Sequence, residues 1–321
     1  MLRDGRLWLA HAVALCLSGL MLAGCGGGAT PSARQIAVPK AEPKVSAAKA
    51  GETPGLYLYE VERSGNRSHL MGTIHMGFGF EEVLTSDAER RFLASRSVMM
   101  EMEAKPQDGA RLAQAAQLPA GESLRARLGP KTWEMLAARF AGTIPERVLD
   151  RLKPWMPAVM LGVAELELVI AKRRPGGDSH RMDVELMEAA RAQGKPVLFL
   201  ETIDQQIDIF ESIPEPEQIR ELTQSLSQDS SEQAEQLLDA FAAGDEAQLE
   251  EALFNDQELS DAPGFFEAVL FARNDRWLPV IEREHASGGV FVAVGAGHLL
   301  GERGLIRALR DRGYQVRRVG P

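Results

Sequence analysis

Two histidines occupy the same local frame at opposite ends of the chain. His75 closes Leu70-Met71-Gly72-Thr73-Ile74-His75, and His298 closes Val294-Gly295-Ala296-Gly297-His298. Each follows an apolar run, a glycine and two further residues. Two more apolar runs end on an acid: Val98-Met99-Met100 leads to Glu101, and Val197 to Leu200 leads to Glu201. Imidazoles and carboxylates in such a set admit two chemistries. They suit Mn²⁺, Co²⁺ or Zn²⁺ as ligands, and three protein ligands with one open position activate water. Without metal, the same groups serve as general base and acid. Glu101 and Glu103 share a face if one strand runs through both. Plainer roles are open too: a strand-end glutamate can cap a helix, and Glu201-Thr202-Ile203-Asp204 reads as a helix start. His69, His180 and His285 show no pattern and are assigned to surface or core.

Strand ends must carry these residues. Leu56 to Glu62 alternates, Ser64-Gly65-Asn66 turns, and the run to His75 returns, which predicts a β-hairpin. Gly72 permits close approach of backbone or ligand. Gly77 and Gly79 let the chain leave sharply. Glu81 to Ser95 has helical spacing, and residues 107–170 read as several helices punctuated by Pro and Gly. An amphipathic helix follows from Arg181 to Gln193, then the strand to Glu201, then helix almost throughout to residue 286. The chain closes with a helix from Glu302 to Arg312 and a strand from Tyr314 to Val319. This order predicts an α/β fold: a mixed sheet with helices on both faces and helical insertions. In open α/β sheets ligands bind beyond the carboxyl ends of the strands, which is where His75, Glu101, Glu201 and His298 fall.

The N-terminus reads as an export signal. Arg3 and Arg6 precede a mostly apolar run, Leu7 to Leu22, which is short for a membrane span and ends in small residues. Leu22-Ala23-Gly24-Cys25 resembles the bacterial lipobox, which would make Cys25 the lipidated first residue. Gly26 in place of an aspartate favours the periplasmic face of the outer membrane if the organism is Gram-negative. The expected division is residues 1–24 as signal, 25–54 as lipidated cysteine and tether, and 55–321 as the folded part. The tether is rich in Gly, Ala, Pro, Lys and Ser, with a mean span of about 30 Å by random-coil scaling. Cys16 lies inside the signal, so a mature chain would carry no disulfide. The net charge is −10 and no basic cluster is interleaved with aromatics, which argues against nucleic acid as a partner.

Taken in order, Leu70 to His75, Val98 to Glu103, Lys153-Pro154-Trp155, Gly194 through Glu201-Thr202 to Gln205-Gln206, Arg273-Asn274-Asp275-Arg276-Trp277 and Val294 to Leu299 resemble the TraB/GumN family, also called TraB/PrgY or Tiki-like. The likeness covers about residues 55–320. It implies an α/β fold related to erythromycin esterases. From the animal Tiki members it implies a metal-dependent protease using Mn²⁺ or Co²⁺. On the matching positions, His75, Glu101 and His298 would be the metal ligands. Arg273 and Asn274 would orient substrate or stabilise an oxyanion. Arg181-Met182-Asp183 departs from the family pattern, in which a glycine is common. That leaves Asp183, with Glu103 and Glu201, in a supporting or substrate-contacting role. The expected function is a membrane-tethered, metal-dependent hydrolase acting on a peptide or protein. Two alternatives stay open: a metal-free esterase-like hydrolase with His75 as general base, and a tethered protein that sequesters a peptide without cleaving it.

Overall fold

A computed structural model describes residues 56–103, 105–175, 180–227, 231–254 and 256–319. The signal, Cys25 and tether lie outside the described residues. Six strands form one sheet: β1 (Tyr57–Arg63), β2 (Asn66–Thr73), β3 (Ser97–Met100), β4 (Val197–Phe199), β5 (Val290–Gly295) and β6 (Gln315–Arg318), in the order β4-β3-β5-β2-β1-β6. The predicted hairpin is β1–β2, closed by Ser64 and Gly65, both with positive φ (54° and 82°). A two-residue turn of this kind matches the strand twist. β1 pairs antiparallel with β2 and β6, whereas β2–β5, β5–β3 and β3–β4 are parallel. The carboxyl ends of β2, β5, β3 and β4 therefore lie along one edge.

The sheet is mixed, as expected. Val290 to Val294 are all fully buried, so both faces of β5 are covered. An unbroken apolar run is what such a strand requires, because neither side chain direction meets water. The expected helix from Glu81 to Ser95 is instead two, Phe80–Val83 and Ser86–Ala94. Thr85 breaks it, since its side chain accepts from the Ala88 amide as an N-cap. β4 ends at Phe199, two residues short of the predicted strand end at Glu201.

Two helical insertions flank β4. The one between β3 and β4 carries a small core of its own, built on Leu124, Trp133, Leu136 and Leu149. Lys153 and Trp155 of that insertion both donate to Glu211, at 2.6 and 3.1 Å, and Trp155 stacks on Phe210. The Lys-Pro-Trp motif thus ties the insertion to the helix Ile203–Ser212. The second insertion, between β4 and β5, runs from that helix through a π-helical turn, Glu267–Phe271, into the helix Ala272–His285. It roofs the strand edge. No described helix is long and apolar enough to cross a membrane.

Candidate active site

The shared carboxyl edge gathers the residues that the sequence singled out. Glu101 directly follows β3, and its carbonyl accepts from the Glu201 amide at 2.9 Å, which continues the β3–β4 pairing past the strands. The two carboxylates are buried side by side, 7% and 4% exposed. A bare carboxylate in such a place is costly. The compensating cation is Arg273. Its Nη2 donates to Glu101 at 2.5 Å and to Glu201 at 2.6 Å, and its Nε to Glu201 at 3.1 Å. Its Nη1 donates to the Val269 carbonyl at 2.9 Å and to His298 Nε2 at 3.0 Å. A guanidinium has five N–H donors, and these contacts use them all.

His298 is held on every side. A guanidinium can only donate, so Nε2 of His298 accepts and its proton sits on Nδ1. Nδ1 donates to Asn274 Oδ1 at 2.8 Å. The Asn274 amide donates in turn to the carbonyls of His298 and Arg303, at 3.2 and 3.0 Å. Trp277 packs against both the imidazole and the guanidinium, at 4.4 and 4.5 Å. Burial, then the Arg273 charge, push His298 down to about 3, so the ring is neutral. Glu101 moves the other way from its burial. Arg273 first, then His298, His75 and the Gly295 amide, outweigh desolvation and hold the carboxyl down at about 2.

Gly72 explains how the 3₁₀ turn that carries His298 reaches the sheet. A Cβ on Gly72 would lie 3.0 Å from the Cβ atoms of Ala296 and Tyr57. The strand is bare at that position because the turn packs onto it.

His75 sits apart from this clamp, two residues beyond β2. Its Nδ1 pairs with Asp183, whose other carboxylate oxygen accepts from the Thr73 hydroxyl at 2.7 Å. Asp183 lies in the first turn of the helix Met182–Ala192, where the dipole favours a negative charge. Gly77, with φ +98°, bends the chain after His75, and its amide bonds the His180 carbonyl just ahead of that helix. Burial pushes His75 down, but the charge and hydrogen bond of Asp183, then the charge of Glu101, prevail and raise it.

A pocket of about 50 Å³ opens over the edge, lined by His75, Glu101, His298, Thr73 and a wall of apolar residues. Several expectations change here. Arg273 and Asn274 do not reach out to a substrate; their donors go to Glu101, Glu201, His298 and the carbonyls of Val269 and Arg303. Glu103 is not on the face of Glu101, because β3 ends at Met100; it pairs with Arg191 at 2.5 Å instead. Glu201 caps nothing, since Thr202 is the N-cap with Gln205 reciprocating; Glu201 accepts from Arg273 and from Gln206. Asp183, given only a supporting role from sequence, is the partner of His75. Gln206 and Trp277 stand in the ordered motifs, but the sequence assigned neither a place beside the site; Gln206 donates to Glu201 and Trp277 packs on His298 and Arg273.

A metal at His75, Glu101 and His298 must be tested against this donor set. The oxygen and nitrogen it would need on Glu101 and His298 both face Arg273, and the second oxygen of Glu101 accepts from the Gly295 amide at 2.7 Å. Among the described residues no three His, Cys, Asp or Glu groups are arranged to hold an ion. As arranged, the residues do not fit a metal.

The sequence model of the TraB/PrgY/gumN family matches residues 57–318, nearly all of the described chain. The chain belongs to the TraB/PrgY/gumN family. It is similar to the uncharacterized protein YbaP of Shigella flexneri, 26% identical over 257 residues, which cover 78% of this chain and 91% of that one. YbaP of Escherichia coli K12 is 25% identical over the same spans. No solved structure matches. Membership of the TraB family fits the ordered motifs, which the structure distributes between clamp, capping and packing.

Proposed function

We propose that this protein is a hydrolase of peptide or related acyl bonds in which His75, oriented by Asp183, moves the proton. The observation that carries the reading is the Thr73–Asp183–His75 chain at the floor of the pocket. With Nδ1 committed to Asp183, Nε2 is the nitrogen left for the pocket. It takes a proton from water as the oxygen attacks the carbonyl carbon. Asp183 and the charge of Glu101 stabilise the imidazolium that results. The same Nε2 then gives the proton to the departing amine or alkoxide. Proton transfer of this kind is worth about 10²–10⁴-fold in rate. The Glu101–Arg273–Glu201–His298 clamp supplies a rigid floor.

This reading takes up the metal-free alternative because Arg273 already compensates the buried carboxylates. The metal-dependent peptidase is the second reading. One observation favours it: three groups able to ligate Mn²⁺, Co²⁺ or Zn²⁺ line a single pocket. It requires Arg273 to release Glu101 and His298. A peptide-library digest by wild type and His75→Ala, with and without chelator, separates the two. Cleavage that survives chelation and is lost in His75→Ala supports the dyad. Binding of peptide without any cleavage would support the sequestering alternative instead. The lipid anchor at Cys25, and with it, in a Gram-negative cell, the periplasmic face of the outer membrane, belongs to the same proposal on the strength of Leu22-Ala23-Gly24-Cys25.

A further inference from the structure

We infer that the pocket beside His75 takes a compact, uncharged apolar group, a branched aliphatic or aromatic side chain carried next to the scissile carbonyl of a peptide. The position of the scissile bond rests on the hydrolase reading; the preference of the pocket does not. Its wall is built by Leu237, Phe241, Leu249, Leu253, Phe266 and Leu270, all from the insertion between β4 and β5. The side chains with polar atoms that line it are Thr73, His75, Glu101 and His298. Of these, the Thr73 hydroxyl is bonded to Asp183, Glu101 to Arg273 and Gly295, and His298 to Arg273 and Asn274.

These commitments decide the ligand class. The cation nearest the floor, Arg273, is 0% exposed and has all five donors engaged, so it has none left for a phosphate or carboxylate. A cationic group would meet only Glu101, both of whose oxygens already accept, from Arg273 and from the Gly295 amide. A charged group entering here loses its hydration, and the polar side-chain atom left to it is Nε2 of His75, whose ring is already paired with Asp183. A sugar fares no better, because apart from Nε2 of His75 the lining side-chain atoms that could pair with its hydroxyls are spoken for. An apolar group loses nothing and is removed from water. Phe241 and Phe266 add ring faces and edges suited to an aromatic guest. The cavity itself is small, about 50 Å³, which favours a compact group over an extended one.

The test is a ligand-observed NMR titration of the wild-type protein with the N-acetyl amides of phenylalanine, leucine, aspartate and lysine, and with decanamide. The phenylalanine and leucine compounds should bind about tenfold or more tightly than the aspartate and lysine ones, as burial of a large apolar side chain implies. Leu249→Asp should erase that difference, with circular dichroism as the check on folding. If that variant does not fold, the wild-type series decides alone. Equal binding of the charged compounds would overturn the inference. Tightest binding of decanamide would overturn it in favour of a long acyl chain. Apolar binding with no hydrolysis of any peptide would leave the pocket as inferred and sink the hydrolase reading. Cleavage of peptides with no apolar preference would do the reverse.

Discussion

Replacing Arg273 by Met removes the cation at the centre of the clamp and keeps most of its apolar stem. In the native protein that guanidinium is 0% exposed and meets two buried carboxylates at 2.5 and 2.6 Å. Removing one partner of a buried pair costs about 3–5 kcal/mol, because the other charge stays buried without compensation. Here two carboxylates lose the same partner, so the upper end is expected. The Gly295 amide and Gln206 still donate to them, which keeps the loss from doubling. Total stability is of the order of 5–15 kcal/mol for most domains, so Arg273→Met should be close to unfolding at 37 °C. The assay is urea denaturation followed by circular dichroism at low temperature. It compares wild type, Arg273→Met, and Arg273→Met combined with Glu101→Gln and Glu201→Gln. The triple variant should recover about 2 kcal/mol or more over Arg273→Met, since no charge is then left stranded. A single variant within about 1 kcal/mol of wild type would refute the reasoning. So would a triple variant no better than the single.

Three further outcomes follow from other parts of the molecule. Gly72→Val puts a Cβ 3.0 Å from Ala296 and Tyr57; it should cost about 1–3 kcal/mol in a thermal melt and disturb the turn that carries His298. Burial, then Arg91, push His69 down to about 4 from 6.5. The unfolded chain therefore takes up that proton first, and stability present above pH 6.5 should fall by at most about 3 kcal/mol as pH drops to 4. His69→Gln should flatten that part of a plot of urea midpoint against pH. Finally, Cys25→Ser should release the protein from membranes or block its processing, as read by fractionation and gel mobility.

Much of the site was legible because strand ends leave a sequence pattern. An apolar run closed by His or Glu marks both the strand and the residue it delivers, and His75, Glu101, Glu201 and His298 do lie along one edge. Their partners were not legible, because a helix can bring any residue to a strand end. Asp183 reaches His75 from a helix more than 100 positions downstream, through Thr73 and Gly77. Arg273 was visible as a motif, but its role was not. Only its burial and five engaged donors distinguish a group that faces substrate from one that balances two carboxylates. Glu103 misled for a local reason: the period of two holds within a strand, and β3 stops before it. The pocket wall was the least legible, since Leu237, Phe241, Leu249 and Leu253 look like ordinary core positions of amphipathic helices. The six-stranded order was not legible either, as β5 inserts between β2 and β3 from far along the chain.

The central claim is that His75, and not a bound metal, transfers the proton. The most direct measurement is the initial rate of cleavage of a peptide carrying leucine or phenylalanine beside the scissile bond, by wild type and His75→Ala, both dialysed against EDTA and matched by circular dichroism. The account predicts that wild type keeps its rate in EDTA and that His75→Ala is slower by about 10²–10⁴-fold with an unchanged fold. A wild-type rate abolished by EDTA and restored by Mn²⁺ or Co²⁺, or a His75→Ala rate equal to wild type, would contradict it.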